Sequence, residues 1–271
     1  MNYFSRALIF FQKKSLRIEK RIRFVIGALI LTFVMLLSTF FLFENGLFFV
    51  PILIIFVYVL GYFALLEGIE KIEWLTLFLM PVLLTIASYL FYFLFPVRWL
   101  TRVPFVFLYG ISIYAVLLCS NIFNVGVEKS LQLYRAAFSI NILYQMLISF
   151  LLFNIILSFK LNFFFNGIGV GIVSFLLALQ LIWSVRLNLS IERMILLFSF
   201  FIALILGELA LIGSFVPVKP AILSLFLTSS YYCISGLIYS FLDQRLFKET
   251  IREYIAVWIV VFILSVLSIS W

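Results

Sequence analysis

Glu208 is the one acidic residue set deep inside an apolar run, between Arg193 and Lys219. Residues 194–216 read as one membrane-spanning helix, since about 20 apolar residues at 1.5 Å each cross a hydrocarbon core of roughly 30 Å. Counted along a helix from those two bases, Glu208 lies roughly 22 Å from one and 16 Å from the other, near mid-membrane. An acid there costs about 3 kcal/mol on insertion scales, offset by the Leu, Ile, Phe and Val of the same span. The expectation is a carboxyl that keeps its proton or hydrogen-bonds to a neighbouring helix. It then serves as interhelical glue or as a proton or substrate site.

A second polar group comprises Asn121, Asn124, Glu128, Gln132, Arg135 and Ser139, each three or four residues from the next. On an unbroken helix these share one face, with Glu128 and Arg135 able to pair across Gln132. That predicts either a vestibule lined for a headgroup or substrate, or a solvated loop face with Arg135 reaching for the interface. Arg98, Trp99 and Arg102 follow Pro96. Two guanidinium groups beside an indole suit a lipid phosphate, but an aromatic and basic anchor for a helix end is the preferred reading.

The chain offers little else to chemistry. It has no histidine, the commonest general base and metal ligand, and its two cysteines, Cys119 and Cys233, sit in separate apolar runs. No metal or cofactor is expected, and no phosphate-binding loop or paired-carboxylate helix motif is present.

The elements that position these residues follow from composition. The 271 residues are 66% hydrophobic and 11% charged, with a mean hydropathy of +1.28, so lipid is the main solvent. The fold class predicted is all-α, a polytopic transmembrane helical bundle of about nine spans. The spans fall at roughly 24–43, 47–66, 74–95, 103–124, 136–158, 163–184, 194–216, 221–242 and 254–271, and 24–271 forms one transmembrane domain. Residues 1–23 precede it as a basic amphipathic interfacial helix, with Phe4, Leu8, Phe11, Ile18 and Ile22 on one stripe and most of seven bases opposite. Its partner is a surface of anionic lipid headgroups.

With the N-terminus in the cytoplasm, four of the nineteen basic residues fall outside, namely Arg98, Arg102, Lys160 and Lys219. The remaining fifteen fall inside, so the positive-inside bias sets the N-terminus in and the C-terminus out. The +8 charge follows the membrane rather than one face, which argues against a nucleic-acid partner. Short outside connections leave any protein partner to dock from the cytoplasm or within the membrane.

Three consecutive spans carry small residues at one spacing. They are Gly167, Gly171, Ser174 and Ala178; Ala203, Gly207, Ala210 and Ser214; and Ser229, Cys233, Gly236 and Ser240. Such stripes let helix backbones approach closely, so spans six to eight are expected to pack as a tight unit. Glu208, about 100° around from Gly207, flanks that seam. Pro81 predicts a kink in span three.

Several phrases resemble an uncharacterised family of multi-spanning membrane proteins from candidate-phyla bacteria. They are Arg98-Trp99-Leu100-Thr101-Arg102, Asn121-Ile122-Phe123-Asn124-Val125, Leu133-Tyr134-Arg135-Ala136-Ala137, Glu208-Leu209 with Ser214-Phe215 and Pro217, and Arg252-Glu253-Tyr254. The resemblance runs from about Pro96 onward. It implies a bacterial plasma membrane and assigns no activity.

Three functions compete. A non-catalytic membrane subunit or scaffold explains the small-residue seam, the short loops and the basic surface helix, and is preferred. A proton-coupled carrier or lipid flippase would use Glu208. An enzyme acting on a lipid-linked phosphate comes last, because Arg98 and Arg102 lie on one side of the bilayer and Glu128 and Arg135 on the other.

Overall fold

The computed structural model describes residues 19–41, 46–65, 74–94, 99–125, 131–186 and 192–269. Most of the basic segment 1–23, together with Arg98 and Glu128, therefore lies outside the described residues.

The described residues form nine helices, each long and apolar enough to cross a membrane. In chain order they are α1 Lys20–Phe41, α2 Gly46–Leu65, α3 Trp74–Tyr92, α4 Trp99–Val125, α5 Leu131–Ser158, α6 Phe163–Arg186, α7 Arg193–Gly213, α8 Pro220–Leu242 and α9 Lys248–Leu267. The polytopic all-α bundle expected from hydropathy is the fold. Helix is the form a span must take, because hydrocarbon offers a backbone N–H or C=O no partner outside its own segment.

The helices fall into two compact units, residues 1–141 and 142–271, whose boundary lies within α5. In the first unit α1 packs on α2 and α4, and α3 packs on both α2 and α4. The α1–α4 pair is antiparallel. Thr32 stands against Gly110, where a Cβ would lie 2.7 Å from its Oγ1, and Phe40 stands under the Arg102 guanidinium. The same register carries Arg23, only 1% exposed, toward the Asn121 end of α4. Arg23 thus lies within the first helix, Lys20–Phe41.

Helix α3 continues through Pro81. Proline has no N–H, so the Leu77 carbonyl one turn earlier loses its intrahelical donor. Ser120 of α4 replaces that donor, its hydroxyl reaching Leu77 O at 3.2 Å. The Thr85 hydroxyl in turn donates to Pro81 O at 2.8 Å and accepts from the buried Tyr109 hydroxyl at 2.9 Å. Polar bonds thus fasten the helix around the proline to α4 at two levels. Ser120→Ala is expected to cost about 1 kcal/mol, the scale of an interhelical hydrogen bond in a membrane. In a Pro81→Ala background, where Leu77 O regains a backbone donor, that cost should fall toward zero. Unfolding titrations of the two single variants and the double variant measure the difference.

In the second unit the closest helix pair is α6 with α7, and α8 packs against both and against α9. Asn162 opens α6 by accepting the Phe163 N–H on its side chain at 2.9 Å, and Pro220 opens α8 at a position where no N–H is needed. The first two small-residue stripes meet each other as expected. The third differs, because Gly236 receives the Tyr254 ring of α9, which also lies 5.0 Å from the Tyr232 ring. Close approach on α8 is spent partly on α9, a helix none of whose residues is buried.

Candidate functional site

The polar centre of the second unit is Gln145, wholly buried in the middle of α5. Its Nε2 donates to Gln180 Oε1 at 2.6 Å and to the Leu177 carbonyl at 3.2 Å, both on α6. Its Oε1 accepts from the Tyr231 hydroxyl of α8 at 2.9 Å. One amide therefore ties three helices, using both donors and one acceptor lone pair. Gln180 is 2% exposed and Tyr231 wholly buried, so the network sits in a dry interior where an unmade hydrogen bond is costly. One residue along α8 from Tyr231, Ser230 accepts from the Trp258 indole of α9 at 2.9 Å.

Sequence reasoning singled out none of Gln145, Gln180 or Tyr231. The available signal was two amides inside apolar spans, residue types that hydrogen-bond across helices when buried in lipid. Charge drew attention to Glu208 instead.

Glu208 belongs to a different feature. Helices α6 and α7 close on each other through backbone, a Cβ on Gly207 falling 3.1 Å from Gly167 O. One end of the pair is fastened by Asn166 Nδ2 donating to Ser214 Oγ at 3.2 Å and by the Phe163 and Phe215 rings, 5.1 Å apart. Beside the seam runs an open groove of about 440 Å³. Gly167, Gly171, Ala203 and Gly207 form its floor, and Phe164, Phe175, Phe200 and Leu204 are among its walls. Glu208 lines the same groove and is exposed.

This placement corrects two expectations. Helix α7 ends at Gly213 and residues 214–216 turn, so Glu208 lies five residues from the helix end, about 8 Å, rather than at mid-span. The carboxyl is also not glue within this chain. It makes no hydrogen bond or ion pair among the described residues, because the seam is closed by glycine backbone and the Glu208 side chain points away from it. Glu208→Leu is expected to leave the unfolding midpoint in detergent unchanged while easing insertion of α7 by less than the ~3 kcal/mol that a mid-span acid costs. A large loss of midpoint would show that the carboxyl is bound into the fold after all.

The described residues from Asn121 to Ser139 are carried on two helices. Helix α4 ends at Val125 and α5 begins at Leu131, and the residues between, Glu128 included, lie outside the described set. Asn124 is 6% exposed, whereas Gln132, Arg135 and Ser139 are all exposed. Asn121 is half-buried, its Oδ1 shielded and without a hydrogen-bond partner among the described residues. Buried amides on α4 and an exposed cation on α5 do not amount to a vestibule.

Arg102 is 7% exposed and turned inward. Its Nε donates to the Tyr92 hydroxyl at 3.0 Å, and its guanidinium lies 4.1 Å over the Phe40 ring. Cation–π contact and a buried hydrogen bond lock the end of α4 to α1 and α3, the anchoring alternative for this residue.

Among the described residues no three His, Cys, Asp or Glu side chains come together as metal ligands would. No curated protein and no solved structure matches the chain. A family model described as "Protein of unknown function (DUF5656)" matches residues 66–268, from before α3 to the end of α9 and thus further toward the N-terminus than the phrases from Pro96 onward. With three quarters of its length matched, this chain belongs to the DUF5656 family of proteins of unknown function.

Proposed function

We propose that the chain is a non-catalytic subunit or scaffold of a bacterial plasma membrane, with its N-terminus cytoplasmic and its C-terminus outside. The observation that carries this reading is the Gln145 network. The buried amides of Gln145 and Gln180 and the buried Tyr231 hydroxyl are bonded to one another across α5, α6 and α8. A carrier would set such groups along a passage, and an enzyme would gather acid, base and substrate holders on one side of the bilayer.

Helix α9 adds support. It rests one edge on α8 through Tyr254 and Trp258 and turns residues such as Val260 and Ile263 outward. A whole span is left to meet lipid or a partner helix.

The test is native mass spectrometry of the protein extracted with its surrounding lipid. The expected result is a second membrane protein at fixed ratio, lost when Val260→Trp and Ile263→Trp are introduced together. A folded, monomeric chain alone would end the subunit reading. For orientation, alkaline phosphatase fused after Trp271 should be active and a cytoplasmic fluorescent reporter dark; the reverse pattern would invert the topology.

A further inference from the structure

We propose that the α6–α7 groove is a binding site for one anionic phospholipid, a feature independent of whether the chain is a subunit. Three levels of the site match three parts of such a molecule in order. At the end of the helix pair stand Lys160, in the turn before α6, and Lys219, at the start of α8. Both are exposed and neither is ion-paired among the described residues. The Asn166–Ser214 bond and the Phe163–Phe215 contact bring these two connections to the same end of the groove.

Below them, about 8 Å from the end of α7, comes Glu208. Glu208 thus stands between the two lysines and the apolar length of the groove. Its carboxyl is the one polar side chain among the residues that line the groove. Beyond Glu208 the groove is apolar, running from Gly167, which meets Gly207, to Phe175 on α6, a length of about 12 Å.

The site therefore has polarity as well as shape: cations, then one hydrogen-bonding group, then an apolar channel. A partner helix would be apolar at both depths and would leave the lysines unused. A second copy would bring its own Lys160 and Lys219 against them. Two lysines facing a phosphate select an anionic headgroup over a zwitterionic one, whose own ammonium already competes for it.

The full chain in detergent is offered phosphatidylglycerol and phosphatidylcholine with identical acyl chains, and retained lipid is read by native mass spectrometry. One phosphatidylglycerol is expected to remain, favoured about tenfold. Lys160→Glu with Lys219→Glu should remove that preference. Ile172→Trp with Leu204→Trp, at exposed positions lining the groove, should lower retention of both lipids. Glu208→Gln, whose amide offers a donor at that level, should retain the lipid better than Glu208→Leu.

Cross-linking of the unsubstituted protein by phosphatidylglycerol carrying a diazirine on its acyl chain gives a readout that does not depend on any variant folding. Adducts are expected within 164–175 and 200–211. Equal retention of the two lipids, adducts mapping elsewhere, or a dimer or partner helix covering the groove would each overturn the proposal.

Discussion

Gln145→Leu is expected to destabilise the second unit by about 2 kcal/mol, more than a single interhelical hydrogen bond in a membrane supplies. The substitution removes three bonds at once, to Gln180 Oε1, to Leu177 O and from the Tyr231 hydroxyl. Leucine fills most of the same volume, so the loss is mainly that of polar groups left in a dry interior. The argument has a sharper consequence. With Gln145 gone, the Tyr231 hydroxyl has lost its acceptor, and removing it should help rather than hurt. Tyr231→Phe should cost about 1 kcal/mol in the unsubstituted protein and nothing, or a slight gain, beside Gln145→Leu. Reversible unfolding of the single and double variants closes the cycle. Equal cost of Tyr231→Phe in both backgrounds would mean that the two side chains do not act as one network.

The helices were legible because a span announces itself by composition. The expected boundaries of α3 and α6 lie within a few residues of those found, since apolar runs bounded by Pro, Asn and charged residues leave few other choices. The glycine seam was legible for a related reason: small residues at helical spacing have little use in lipid except close approach. The polar interior was harder to see. Hydropathy ranks a glutamine below a glutamate in cost, so Gln145 and Gln180 drew less notice than Glu208. Yet burial inverts the order, the amides being wholly inside and the carboxyl outside.

Which face of a span looks inward depends on partners that no single helix encodes. Glu208 shows this, since its side of α7 is apolar like the other and only the neighbour α6 decides what is covered. Arg102 shows the converse, a cation expected at a surface and drawn inward because Phe40 and Tyr92 arrive from two other helices. The described members of the Asn121–Ser139 stripe differ in the same way, Asn124 being covered on α4 while Gln132, Arg135 and Ser139 stay exposed on α5.

The glycines of the α6–α7 seam should differ sharply from one another when enlarged. A Cβ on Gly207 would stand 3.1 Å from Gly167 O, and one on Gly167 would meet Leu211 Cγ at 2.6 Å as well as Gly207 O at 3.1 Å. Backbone oxygen cannot rotate aside, so the helices must part, and every contact along the seam loosens with them. Gly207→Ala should therefore cost about 1 kcal/mol and Gly207→Val about 3 kcal/mol, the range for overpacking a close contact. At Gly171 a Cβ would lie 3.4 Å from Ala203 O, ordinary van der Waals contact, and the groove stands open beside it. Gly171→Ala should thus stay within about 0.5 kcal/mol of the unsubstituted protein, because the helix itself favours alanine over glycine. Both substitutions add one methyl group to the same seam, so a model in which small residues merely lower side-chain bulk predicts equal effects. Unfolding of the Gly171→Ala and Gly207→Ala variants under identical conditions separates that model from one in which a single backbone crossing at Gly167 and Gly207 sets the approach of α6 and α7.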